Sequence, residues 1–79
     1  MKENTNIDII VKKPFLSEKE LEVYTGFQRR FLLKLRTEGT NKGKLPFNVI
    51  GRSIIYDRAE VDKFIRRHKA EDEFEFRDD

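Results

Sequence analysis

The apolar positions along this chain fall into five groups, and their spacings predict different elements. Near the start, Ile7, Ile9 and Val11 alternate with Asp8, Ile10 and Lys12. A period of two fits a short strand, and chain ends fray, so residues 1–13 are expected to form a flexible arm or such a strand. The next group opens with Leu16-Ser17-Glu18-Lys19-Glu20-Leu21. Ser17 can accept from the Glu20 amide while the Glu20 side chain reaches back to Ser17. Leu16 and Leu21 have the spacing of a hydrophobic staple around that box, so a helix starts here. It runs through Tyr24 and stops at Thr25-Gly26, where glycine supplies a left-handed cap. About two turns long, it needs a packing partner to persist.

Only Thr25, Gly26 and Phe27 separate it from a second helix, Gln28 to about Glu38, ended by Gly39. Phe27, Phe31, Leu32 and Leu35 form its expected buried stripe. Arg29, Arg30, Leu33, Lys34, Arg36 and Thr37 fall on the remaining surface. A polar loop, Thr40 to Lys44, leads through Leu45-Pro46 to Phe47-Asn48-Val49-Ile50 and Ser53-Ile54-Ile55-Tyr56, which flank Gly51-Arg52. Glycine at the first central position suits a type II′ hairpin. In that register Phe47 opposes Tyr56 and Val49 opposes Ile54, giving one apolar face for helices to cover. Asp57 then opens a third helix, with Glu60 three residues on and a Tyr56/Val61 staple. Val61, Phe64, Ile65 and His68 repeat at helical spacing and are expected to form its buried face. The predicted order is helix, helix, strand, strand, helix, in an α+β domain spanning residues 14–69. Two short helices joined by a three-residue turn containing glycine give the outline of a helix-turn-helix.

Composition narrows the function. The chain has 79 residues, no cysteine and 41% charged residues, so one small core is expected, with no disulfide or cysteine-zinc framework. No apolar run reaches membrane-spanning length, and a cytoplasmic protein without membrane association is expected. The net charge of +2 conceals strong segregation. Residues 27–69 carry twelve Lys or Arg against four acids, a balance of +8, whereas residues 70–79 carry six acids against one Arg, a balance of −5. A basic middle beside an acidic end is the charge outline of a nucleic-acid surface next to an interaction tail. Residues 70–79 are expected to be a disordered acidic tail, in which Phe74 and Phe76 are unusual.

Catalytic chemistry finds little material. His68 is the only histidine and reads as a helix-end imidazole on the apolar side. Ser17 reads as a cap without a partner base, and Gly39 to Lys44 lacks phosphate-loop spacing. No enzyme activity, cofactor or metal is expected. The cations offer more. Gln28, Arg29, Arg30, Leu33 and Lys34 lie near the start of the second helix, the end that meets base edges in helix-turn-helix docking. An arginine there can pair bidentately with guanine, and Gln28 can do likewise with adenine. Lys42, Lys44, Arg52 and Ser53, in the loop and at the hairpin tip, are candidates for phosphate contacts.

Assembled, these residues resemble the excisionase/AlpA group of small winged-helix proteins, related to the MerR type of DNA-binding domain. The resemblance covers about residues 15–68. It rests on Phe15-Leu16-Ser17-x-x-Glu20-Leu21, Tyr24-Thr25-Gly26-Phe27, Leu35-x-x-Glu38-Gly39, Leu45-Pro46, Ile50-Gly51-Arg52 and Tyr56-x-x-x-x-Val61-x-x-Phe64-Ile65. It implies a small winged helix-turn-helix, with a helix in the major groove of double-stranded DNA and a hairpin wing over the minor groove. It also implies service to a mobile element as a recombination directionality factor or transcription regulator. The expected partners are DNA, an integrase or other recombinase, and further copies on adjacent repeats. Gln28 departs from the serine or threonine usual at that helix start, residues 40–44 lengthen the loop, and the acidic tail lies outside the pattern. A protein–protein adaptor or host-enzyme inhibitor using that tail is the reading from another class.

Overall fold

The start signal at Ser17 is fully realised. In the computed structural model, which describes residues 6–70, the Ser17 hydroxyl accepts from the Glu20 amide at 3.1 Å. The Glu20 carboxylate in turn accepts from the Ser17 amide at 2.9 Å. The expectations for residues 1–5 and for the tail beyond Ala70 lie outside the described residues. The elements are α1 (Ile7–Ile10), β1 (Phe15–Ser17), α2 (Glu18–Thr25), α3 (Arg29–Thr37), β2 (Asn48–Ile50), β3 (Ser53–Asp57) and α4 (Arg58–Arg66). They make a small α+β domain of four helices and a three-stranded antiparallel sheet in the order β1-β3-β2.

Two elements depart from the expected order. The alternation at residues 7–11 forms a single helical turn instead of a strand. Asn6 caps it by accepting from the Asp8 amide, and only Ile10 turns inward, fully buried. The place beside β3 that a first strand would need is taken by Phe15–Ser17, in register Leu16 to Tyr56. That strand is three residues long and runs directly into the helix cap, so its sequence carries the helix signal alone.

The hairpin has the expected register where it is paired, Val49 with Ile54 and Ile50 with Ser53. Gly51 has φ +63° and no described non-glycine residue has positive φ. That combination fits a type II′ turn and excludes type I′, which needs two left-handed positions. Ladder pairing starts at Asn48 with Ile55, so Phe47 lies one residue outside the ladder, while Tyr56 pairs on the other edge of β3 with Leu16. The helices cover less of the inner face than expected. Tyr56 is fully buried and Ile54 partly so, whereas Phe47 and Val49 are 41% and 60% exposed.

Ile10, Leu16, Leu21, Leu32, Leu35, Leu45, Tyr56, Val61 and Phe64 form the core, with Tyr24, Phe27 and Ile54 packed against it. Two apolar positions of the predicted helix stripes lie outside it. Phe31 is 44% exposed, touching Phe27 edge to face at 5.0 Å, and Ile65 is 40% exposed. A helix buries a stripe about as wide as its neighbours can cover, and in α3 and α4 two residues each fill it.

Polar contacts tie the elements together. The Tyr24 hydroxyl donates to Asp62 at 2.7 Å, joining α2 to α4. That bond, followed by burial, raises the Tyr24 phenol above its ordinary range. Glu20 is buried at 3% exposure and takes a 2.5 Å hydrogen bond from the Lys13 ammonium. Burial alone would raise its carboxyl. The Lys13 ammonium and the Ser17 amide and hydroxyl outweigh burial and hold it below the usual carboxylate range. Near the chain start, the Arg58 amide donates to the Pro14 carbonyl at 2.9 Å and its guanidinium to the Val11 carbonyl.

Candidate nucleic-acid interface

α3 is held from behind and open in front. Its inner side buries Leu32 and Leu35, and Arg36 extends the grip in polar form. The Arg36 guanidinium donates to the Tyr56 hydroxyl at 3.1 Å and meets Glu18 at 3.5 Å, with the Phe47 ring centre 5.8 Å away. Burial drives the Tyr56 phenol above its ordinary range despite that cation beside it. Arg36 is therefore a clamp on α2 and β3, and its charge is spent within the fold.

The outer side carries the sequence candidates, and the structure divides them. Arg30, Leu33, Lys34 and Thr37 follow i, i+3, i+4, i+7 spacing and so share one face. With Gln28, Phe31 and Glu38 they line one shallow open groove. Leu33 and Phe31 are each 44% exposed there, an apolar floor between two cations. Gln28 is the cap position of α3, and its side chain makes no capping bond. Arg29 points elsewhere. It sits seven residues before Arg36 on the same side of the helix and, like Arg36, meets Glu18, at 3.6 Å. Its surroundings are Glu18, Lys19 and Glu22 of α2.

Lys42 and Lys44 are exposed in a tight turn closed by paired hydrogen bonds between Thr40 and Gly43, of 2.8 and 3.0 Å. Arg52 and Ser53 are exposed at the hairpin tip. Sequence reasoning missed what holds the loop. His68 accepts or donates at Thr40 Oγ1 across 2.6 Å, and its Nδ1 donates to the Phe64 carbonyl at 2.7 Å. The imidazole is exposed, in contrast to the buried face expected for it, and it pins the end of α4 to the loop after α3. The signal available was its place one turn beyond Phe64, but nothing local names Thr40 as its partner.

Among the described residues no group of three or more acids and histidines could hold a metal ion, and no helix is long and apolar enough to cross a membrane. The arrangement is a shallow groove with cations beside an apolar floor, suited to binding an extended anionic surface. Comparison with protein-family models, curated proteins and solved structures gives no match to this chain.

Proposed function

We propose that this protein binds double-stranded DNA sequence-specifically through a winged helix-turn-helix, with α2 and α3 as the helix pair and the β2–β3 hairpin as the wing. The observation that carries the reading is the outer face of α3. Arg30, Leu33, Lys34 and Thr37 stay uncovered on a helix whose other side is clamped by the core and by Arg36. An uncovered leucine between two cations has no use in solvent, whereas in a major groove it can meet a thymine methyl while Arg30 pairs with guanine. Lys34, Lys42, Lys44 and Arg52 supply phosphate neutralisation, which positions the protein and makes binding salt-dependent. Within this reading the chain serves a mobile element as a recombination directionality factor, several copies bending adjacent repeats beside a recombinase. Regulation of transcription by the same fold is the sister reading. A binding role, with no catalysis, fits both.

An adaptor role draws on a different observation. The outer face of the sheet, with Phe15, Ile50 and Ile55, is covered by no described element, and Phe15 and Ile50 are 54% and 69% exposed. Protection mapping on the ends and promoter of the source element separates the three. Repeated protected sites at the ends support the directionality factor, and a protected operator supports the regulator. Absence of any salt-sensitive DNA binding leaves the adaptor.

A further inference from the structure

We infer that the acidic segment 71–79 of this chain docks in cis on the groove of α3, occupying the surface assigned above to DNA. The inference therefore rests on that assignment for its functional meaning, though not for the docking itself. Three observations converge. The first is charge. Glu71, Asp72, Glu73, Glu75, Asp78 and Asp79 stand against one Arg in this segment, while the described groove presents Arg30 and Lys34 against a single acid, Glu38. The second is apolar complementarity. Phe74 and Phe76 lie two residues apart, so that in an extended conformation their rings share one side. The groove supplies Phe31 and Leu33 between its cations, both exposed. A solvated acidic run needs no aromatic residue, and in the absence of DNA the front of α3 leaves Phe31 and Leu33 open to solvent. Each irregularity accounts for the other.

The third is reach. His68 ties the end of α4 to Thr40, one residue past Gly39 at the C-terminal end of α3. The described chain thus ends at Ala70 close to the helix it is to cover. α3 has nine residues, about 13 Å at helical rise. The nine residues beyond Ala70 span up to about 30 Å when extended, enough to run the length of the groove.

Tethering decides whether so small a contact matters. A short flexible linker holds the segment at an effective concentration of about 1 mM. A contact with a Kd of about 0.1 mM as a free peptide is then about nine-tenths occupied in cis. DNA must displace it, so apparent affinity is lowered about ten-fold by the unoccupied fraction. Ordinary repulsion between a loose acidic tail and phosphate also weakens DNA binding, but it is blind to the aromatic rings.

That difference sets the test. The full chain is compared with Phe74→Ala/Phe76→Ala, which keeps every charge, and with Glu73→Gln/Glu75→Gln, which keeps both rings. Backbone NMR shifts are recorded without DNA at low salt. Docking predicts shift differences at Arg30, Phe31, Leu33 and Lys34 for both variants, independent of protein concentration and collapsing as salt rises. Differences confined to Ala70 and its neighbours, or centred on Phe15, Ile50 and Ile55, overturn the inference. Concentration-dependent differences overturn it in favour of contact between copies. DNA titration is the second arm, and docking predicts several-fold tighter binding for the Phe74→Ala/Phe76→Ala variant. Tighter binding for the Glu→Gln variant alone means plain repulsion and overturns the inference. If no variant binds DNA while the α3 shifts are present, the docking stands and the DNA reading falls.

Discussion

Arg29 and Arg30 are adjacent in sequence and differ by 100° around the helix, enough to give them different work. Arg30 lines the open groove, whereas Arg29 leans on Glu18 with its side chain 82% exposed. Replacing Arg30 with Ala is expected to weaken binding to the specific site by about 1–3 kcal/mol and to random DNA by less. Arg29→Ala removes an exposed ion pair worth at most about 1 kcal/mol of stability and leaves base discrimination unchanged. Arg52→Ala weakens specific and random DNA alike and lowers the salt slope by about one unit. Titrations of each variant on both DNAs at several salt concentrations read all three effects, and equal loss of discrimination for Arg29 and Arg30 would refute the division. Glu20 gives the second residue-scale expectation. Its carboxyl is held low in the fold, so the folded chain resists protonation more than the unfolded one. The stability it contributes is complete above the ordinary carboxylate range and is lost as pH falls through the lowered value. Thermal melts from about pH 7 to about pH 3 should show the parent more stable than Glu20→Gln at neutral pH, with the gap narrowing in acid. A gap that stays constant would mean that the Glu20 charge does not matter.

At the scale of elements, what was legible in sequence is what is local. The capping box at Ser17, the glycine end at Gly26 and the hairpin turn at Gly51 each depend on residues within four positions, and all formed where expected. Asp57 caps α4, although it accepts from the Ala59 amide and not from Glu60. What was illegible depends on distant partners. Phe15-Leu16-Ser17 becomes a strand only because Ile55 to Asp57 lies beside it. Phe31 and Ile65 fit a buried stripe by spacing, yet no neighbour covers either of them fully. The candidate site was legible as a set of positions but not as a surface, because Gln28, Arg30, Leu33 and Lys34 separate from Arg29 only once α2 is in place. The end of α3 adds a sharp expectation. Gly39 has φ +76°, and a Cβ there would lie 2.7 Å from the Gly43 carbonyl oxygen and 3.0 Å from Lys44 Cα. Gly39→Ala should cost about 1–3 kcal/mol from backbone strain, and more from the clash with the turn. Gly26→Ala, with a similar φ but open space around it, marks the strain alone. Equal melting temperatures for the two variants would show that the turn yields freely.

For the whole molecule, the sheet has a consequence in time. β2 and β3 are joined by a two-residue turn, whereas β1 pairs with β3 through partners such as Leu16 and Tyr56, forty positions apart. Hairpins close in about 1–10 μs, but closing a long loop costs entropy before any contact rewards it. The centre strand is therefore ready on one flank well before the other arrives, and docking of β1, which carries α1 and α2 with it, comes late. Leu16→Ala, fully buried in the parent, should accordingly speed unfolding by most of its cost of about 2–5 kcal/mol and leave the folding rate nearly unchanged. Stopped-flow chevrons would show the unfolding limb raised and the folding limb in place, and a folding limb that drops instead would put β1 in the nucleus. With β1 last to arrive, the domain's lifetime in the folded state is governed by its N-terminal strand.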